Sequence, residues 1–296
     1  MTARSTTRPL VAGISISHPT RVFYPEDGIS KLELARYYEA VGEHIVPHVR
    51  RRPLTLLRCE GTIADCTFLR HARAWGPSAL ERVKIREKHK VGEYLVANDV
   101  AGVVALLQMD VLEIHTWNSS IDDVERPDRI VVDLDPGDGV AWKEVVAAAR
   151  FVRAQLDKLS LRSWVKTTGG VGLHVVVPIV PRADWSLCLE FARQFCASLA
   201  RLQPRNFTTL VGKQHRAGKI YLDYLRNNRT NTSVCALSTR ARAGAPVSMP
   251  VGWSELGRVD PQKFTARTVP KLLARRRRDP WADYFDCVQE LVQVPT

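Results

Sequence analysis

The chain reads as an α+β or mixed α/β domain. Helix-type and strand-type patterns follow one another without the strict alternation of a doubly wound fold. The composition, 45% hydrophobic and 25% charged over 296 residues, is that of a globular protein. No Pro/Gly/Ser-rich linker divides the chain, so residues 14–290 are expected to form one domain. Residues 1–13, rich in Arg and Thr and without acids, read as a linker. No apolar run approaches the ~20 residues that a bilayer span needs, which excludes a transmembrane helix.

The first element is announced by Ser30-Lys31-Leu32-Glu33, a capping box in which the Ser hydroxyl and the Glu carboxylate satisfy orphan backbone N–H groups. Leu34, Tyr38, Val41 and Ile45 then form one apolar stripe, and Pro47 is expected to stop the helix. Short strands are expected at 54–58 and 94–97, a buried helix at 99–109, and an alternating strand at 112–117. Arg129-Ile130-Val131-Val132-Asp133-Leu134-Asp135 is apolar until its end and runs into Pro136-Gly137-Asp138-Gly139, the pattern of a buried strand meeting a turn. Asp138 reads as a helix cap, because residues 141–159 carry Val145, Val146, Ala149, Val152 and Leu156 at helical spacing. Strands are expected at 163–167 and 173–179, a helix at 185–202 and a strand at 219–225, with 261–294 helical around the basic run Arg275–Arg278.

The chemistry sits in the acids that interrupt these strands. Asp133 and Asp135 are two apart, so they share one strand face. A charge at the end of an apolar strand demands a partner. Paired carboxylates are hard oxygen donors that suit Mg²⁺ or Mn²⁺. Asp223 intrudes in the same way into Ile220–Leu225, with a salt bridge to Arg226 or Arg229 as the alternative explanation. Thr168-Gly169-Gly170-Val171-Gly172 joins two strands, so neither the dinucleotide fingerprint nor the P-loop applies, although glycines let backbone N–H groups approach a phosphate. His174 follows on the next strand as a phosphate donor. Residues 201–242 contain many Arg and Lys and a single acid, Asp223, and Ser238-Thr239-Arg240-Ala241-Arg242 sets two arginines on one face, suited to a triphosphate. The net charge of +12 likewise favours a polyanionic partner.

Six cysteines are scattered with no Cys-x-x-Cys pair. Neither a zinc ribbon nor a disulfide framework is expected, and a reducing cytoplasm fits. Cys59, Cys66, Cys188 and Cys196 are expected as core thiols, and His44 and His48 as surface histidines.

Three motifs in order, Asp133-Leu134-Asp135-Pro136-Gly137, Thr168-Gly169-Gly170-x-Gly172-Leu173-His174 and Asp223-Tyr224-Leu225-Arg226-Asn227, resemble the archaeo-eukaryotic primase superfamily. Within it, the chain is similar to the polymerase domain of the bacterial multifunctional non-homologous end-joining ligase, ligase D. Val22–Lys31, Arg52-Pro53-Leu54-Thr55, Glu113–Trp117 and Asp279-Pro280-Trp281-Ala282 extend the match over roughly 14–286. The resemblance implies an α+β primase-polymerase core, two sheets flanked by helices around a catalytic cleft. It implies Asp133, Asp135 and Asp223 as the catalytic acids holding two divalent ions, Mn²⁺ or Mg²⁺. Thr168, Gly169, His174, Ser238 and Arg240 would bind the nucleotide. Arg21 and Lys31 would take a downstream 5′-phosphate and Phe68 would stack on the template base, with His115 and Arg226 beside the DNA.

The implied activity is templated addition of nucleoside triphosphates, preferably ribonucleotides, at gaps and broken DNA ends in a bacterial, nucleoid-associated setting. The implied partners are double-stranded DNA ends, a Ku-type end-binding protein, and ligase and nuclease domains of the same polypeptide if the chain is an excised domain. Relatives carry two adjacent aromatics where this chain has Thr67-Phe68, and some have a lysine at Val171. Arg21 stands where relatives place a lysine. Two rival readings remain at this level: a metal-dependent nuclease or phosphodiesterase, and a non-catalytic nucleic-acid-binding repair module.

Overall fold

In the computed structural model, which describes residues 8–291, two mixed-neighbour sheets face a common cleft. The larger has six strands in the order 207–208, 220–223, 129–136, 173–178, 164–167 and 250–251, antiparallel except for the first pair. The smaller has four antiparallel strands in the order 233–234, 111–116, 54–59 and 66–69.

The strand Arg129–Pro136 lies inside the larger sheet, with a neighbour on each side. Its even-numbered residues Ile130, Val132 and Leu134 enter the main core. The long helices Trp142–Lys158 and Trp185–Leu202 cover that face, burying Val145, Ala149, Val152 and Leu156 from one and Ala192, Phe195 and Leu199 from the other. Pleating turns the odd-numbered residues, Val131, Asp133 and Asp135, to the opposite face. Val131 packs there with Trp164, Val176, Trp281 and Tyr284. The register then lays one row across the sheet: Asp223 faces Asp133, Asp133 faces His174, and His174 faces Lys166.

The capping box at Ser30 and Glu33 is formed, and it opens the helix Lys31–Ala40. The expected single helix is broken at Val41, where a second, Gly42–Val49, begins. Pro47 lies inside that second helix, which ends two residues later as Arg51 adopts a left-handed backbone. The stripe Leu34, Tyr38, Val41 and Ile45 is fully buried as its spacing implied.

Several other expectations are corrected. Leu10–Val11 pairs with Ile14–Ser15 and Val11 enters the core, so residues 10–13 are not a free linker; residues 1–7 lie outside the described residues. Asp138 does not cap the following helix: Ala141 is its N-cap, and its N–H is met by the Glu144 carboxylate. The strand expected to 225 ends at Asp223, whose carboxylate accepts the Leu225 N–H and turns the chain into a short 3₁₀ segment. Among the described residues the tail is α-helical only over Val269–Arg275, with a 3₁₀ turn at Pro261–Lys263, and Arg276 turns back to bond the Pro250 carbonyl and Glu255; residues 292–294 of the expected helix lie outside the described residues. His48 is buried against Trp281, Tyr284 and Phe285, while His44 is exposed as expected. Cys188 and Cys196 are buried free thiols, but Cys59 and Cys66 form a disulfide, since the hairpin 54–69 sets them directly opposite each other. Among the described residues no helix is long and apolar enough to cross a membrane.

Candidate active site

Asp133 and His174, the middle of the row, lie at the floor of the cleft. A cavity of about 200 Å³ opens above them, lined by Asp133, Asp135, Thr168, His174, Arg226 and Arg240 together with His115 and Arg242. Seven of these eight residues are site candidates on sequence grounds, and Arg242 is there only the second arginine of its segment. Asp223 does not line the cavity but faces Asp133 across the sheet.

One guanidinium holds two of the acids. Arg226 Nε lies 3.0 Å from Asp133 Oδ2 and its Nη2 lies 3.2 Å from Asp223 Oδ2. The salt bridge considered for Asp223 is therefore present, and Arg226 is committed to acids rather than free for DNA. Arg216 pairs with Asp135 and rests on the Tyr221 ring at 4.0 Å.

Burial alone would raise the Asp133 carboxyl, but the His174 ring and Arg226 outweigh it and hold Asp133 below the usual carboxylate range. Asp135 is pushed up by burial and by the Asp133 charge, against the pull of Arg216. Asp223 is pushed up by burial, with Arg226 opposing and Asp133 adding. Asp133 thus repels both of the other acids while taking most of the shared positive charge itself.

Among the described residues no three His, Cys, Asp or Glu side chains are gathered as a ready-made metal cage. The donor set nevertheless fits a divalent cation. Hard carboxylate oxygens from adjacent strands already share one cation, the Arg226 group, and burial, with the Asp133 charge adding to it, raises the other two acids of the set.

His174 Nε2 lies 3.4 Å from Asp133 Oδ1, and its buried Nδ1 has no partner. Burial first, then the charge of Lys166, pushes this imidazole down to about 4, so it is neutral near pH 7. Lys166 was not singled out in the sequence. It is buried, its Nζ donates to Ser248 Oγ at 2.6 Å, and burial brings it down to about 7. Its signal was its place in the strand before the glycine loop, where an apolar side chain is the rule.

The glycine loop is a hairpin, as the sequence implied. Gly169 has a left-handed φ of +68°, and the Arg240 side chain packs where a Cβ would stand. Arg240 Nη1 donates to the Thr168 carbonyl at 2.6 Å. Ser238 is not at the cavity: it is fully buried, accepting the Ile114 N–H and donating to the Thr239 carbonyl.

The smaller sheet supplies the other wall. Phe68, His115 and Glu113 share one face, since Leu57 pairs with both Phe68 and Glu113, and Thr55 with His115. Phe68 is 63% exposed and stands edge-on to the His115 ring at 5.5 Å. Burial lowers His115, with Glu113 opposing. Glu113 is the acid that sequence reading gave no role; it is buried between His115 and Arg240. Arg21 and Lys31 lie away from the cavity and meet on Asp110, at 2.8 and 3.1 Å, with Lys31 only 1% exposed.

Comparison with known proteins agrees with this geometry. The family model described as LigD, primase-polymerase domain, matches residues 30–281. The chain is 37% identical over 287 residues to the multifunctional non-homologous end joining protein LigD of Pseudomonas aeruginosa, covering 96% of the chain and 34% of that protein. It is 32% identical over 252 residues to the protein of the same description from Mycolicibacterium smegmatis, covering 84% and 33%. The chain thus spans about a third of the length of these curated relatives. In structure it is similar to the polymerase domain from Mycobacterium tuberculosis Ligase D in complex with DNA, with a TM-score of 0.82, 24% identity, and coverage of 88% of this chain and 94% of that one. The chain is a primase-polymerase domain of nucleotidyltransferase type and belongs to the LigD primase-polymerase family.

Proposed function

We propose that this chain joins a nucleoside triphosphate to a primer 3′-OH, opposite a template strand, at gaps and broken DNA ends during non-homologous end joining. The observation that carries the reading is the pair Asp133 and Asp135 lining a cavity walled by arginines, with Asp223 paired to Asp133 on the adjoining strand. Two divalent ions, Mn²⁺ or Mg²⁺, would be held by these three acids and would supply charge neutralisation and hydroxyl activation. Arg240 and Arg242, with the Thr168–Gly172 backbone, receive the triphosphate. His174 meets it with Nδ1, the ring atom left without a partner, and phosphate charge there works against the burial that keeps the ring neutral. Phe68 offers its exposed face to a template base, and DNA runs along the basic rim. Arg21 forms the 5′-phosphate contact, with the buried Lys31 behind it sharing Asp110 and leaving the trio one positive charge. Ribonucleotides are the preferred substrates, and a Ku-type protein and further catalytic domains act beside the chain.

The test is single-nucleotide incorporation on a gapped duplex carrying a recessed 3′ end and a downstream 5′-phosphate, with Mn²⁺ and either ribo- or deoxynucleotides. Templated extension that disappears in Asp133→Ala/Asp135→Ala supports the proposal. Shortening of the primer would replace it with a nuclease. DNA binding without turnover would replace it with a binding module.

A further inference from the structure

Glu113 has no part in the chemistry just described, yet its contacts all lead to groups that do. It projects from the strand Val111–Thr116 and is 3% exposed. Its Oε2 lies 2.8 Å from His115 Nε2 and 2.9 Å from Arg240 Nε. Its Oε1 accepts the Ala241 N–H at 2.9 Å. Burial would raise this carboxyl, but the contacts with His115 and Arg240 outweigh it and bring it down to about 2, so the group is ionised.

Each partner belongs to a different part of the cleft. His115 lies under the exposed Phe68 ring, on the wall that faces a template base. Arg240 reaches across to the other sheet, donating to the Thr168 carbonyl and lying against Gly169. Ala241 sits between Arg240 and Arg242, both of which line the cavity. A single buried carboxylate therefore ties the base-stacking platform of one sheet to the glycine loop of the other.

The backbone of Arg240 does not depend on Glu113. Its carbonyl accepts the Tyr24 hydroxyl at 2.9 Å, and its N–H bonds the Pro246 carbonyl at 2.8 Å. Glu113 holds the His115 ring by a hydrogen bond and the Arg240 guanidinium by charge, while the Thr168 carbonyl holds the other end of that guanidinium. A brace that served the fold alone would have no need of two cavity-lining partners.

We infer that Glu113 is a positioning residue that couples occupancy of the Phe68–His115 platform to the seating of the triphosphate by Arg240. A nucleotide is held tightly when a template base fills the platform, and loosely when it does not. The inference rests on the proposed polymerase activity and deepens it by assigning the template dependence to one side chain.

Glu113→Gln tests this. Glutamine keeps the shape and the acceptor for Ala241 but removes the charge that orients Arg240 and His115. The measurement is kcat and KM for the complementary nucleotide, for mismatched nucleotides, and for untemplated addition to a blunt end. The expected result is a rise of about tenfold in KM for the complementary nucleotide, the loss of one charge-assisted contact, with little change in kcat. KM for untemplated addition should stay within twofold, so the preference for the complementary nucleotide collapses. Equal changes in templated and untemplated KM, or none, would overturn the inference and leave a structural brace.

A second measurement holds if Glu113→Gln does not fold. Arg240→Met and His115→Ala are made singly and together with Glu113 intact. Coupling through Glu113 requires non-additive effects on templated KM, and additive effects overturn it. Wild-type protein that incorporates no nucleotide on any DNA would overturn the proposed function, and this inference with it. Normal wild-type incorporation with an unaltered Glu113→Gln would overturn this inference alone.

Discussion

Replacing Gly172 by alanine puts a methyl group 2.4 Å from the Leu134 carbonyl oxygen. Leu134 separates the two acids of the central strand, so the collision falls on the backbone that carries Asp133 and Asp135. Ordinary contact begins at 3.4 Å. Relief requires the hairpin and the strand to part by about 1 Å, a misplacement that costs a catalytic constellation on the order of 10²-fold in rate. The same overpacking costs about 1–3 kcal/mol of stability, which leaves the chain folded at 25 °C. Gly170→Ala is the control, because the atom nearest its new methyl is the Arg242 guanidinium at 3.0 Å, the movable end of a long side chain. Gap-filling kcat with Mn²⁺ and the midpoint of thermal unfolding are measured for both variants. Gly172→Ala should lose about a hundredfold in kcat while Gly170→Ala stays within a few-fold. A Gly172→Ala enzyme with wild-type kcat would show that the hairpin does not fix the acids, and would refute the reasoning.

Three further outcomes are expected. Mn²⁺ at a hundredfold excess over its dissociation constant should stabilise the folded chain by about 2.7 kcal/mol, read as a rise in Tm of several degrees; Asp133→Asn/Asp135→Asn should abolish the rise, and an equal rise in that variant would remove these acids from the metal site. His48, pushed down to about 3 by burial with Arg129 and Arg52 nearby, is neutral when folded but takes up a proton near pH 6.5 when unfolded. Stability therefore falls as pH drops from 6.5 toward 3, with His48 contributing up to about 1.4 kcal/mol per pH unit, and urea titrations of His48→Leu across pH 7 to 4 should show that part of the slope missing. Phe68→Ala should weaken template-dependent binding by about 1–3 kcal/mol, measured with gapped against fully single-stranded primer. The exposed ring leaves Tm within experimental error, so a large fall in Tm would mean that Phe68 serves the fold instead.

The central strand and its acids were legible because a buried strand admits charge only for a reason, and Asp133, Asp135 and Asp223 each broke an apolar run. The helix at Lys31 was legible because its cap and stripe are local. What escaped notice depends on partners far along the chain. Glu113 read as one position of an alternating strand, since its partner Arg240 lies on a segment brought in by the fold. His48 looked like a surface residue because its cover, Trp281 and Tyr284, comes from the C-terminal segment. Ser238 shares a basic stretch with Arg240, but its hydroxyl is taken up in the core by the Ile114 N–H and the Thr239 carbonyl. The strand 66–69 has four residues, too few for a period to declare itself. Without that strand, nothing placed Cys59 opposite Cys66.

That cross-link has a geometric consequence for the wall that carries Phe68. Cys66 and Phe68 are two apart on one strand, and Cys59 and Leu57 stand opposite them. Side chains on a strand alternate with a period of two, so sliding the pair by a single residue would turn Phe68 from the cleft to the far side. The hairpin is an edge strand, where nothing on the outer side resists such a slide. A covalent bond between directly opposed residues acts as a pin in a sliding joint. It permits the hairpin to flex but forbids it to shift, so the exposed Phe68 ring keeps the face that it shares with His115 and Glu113.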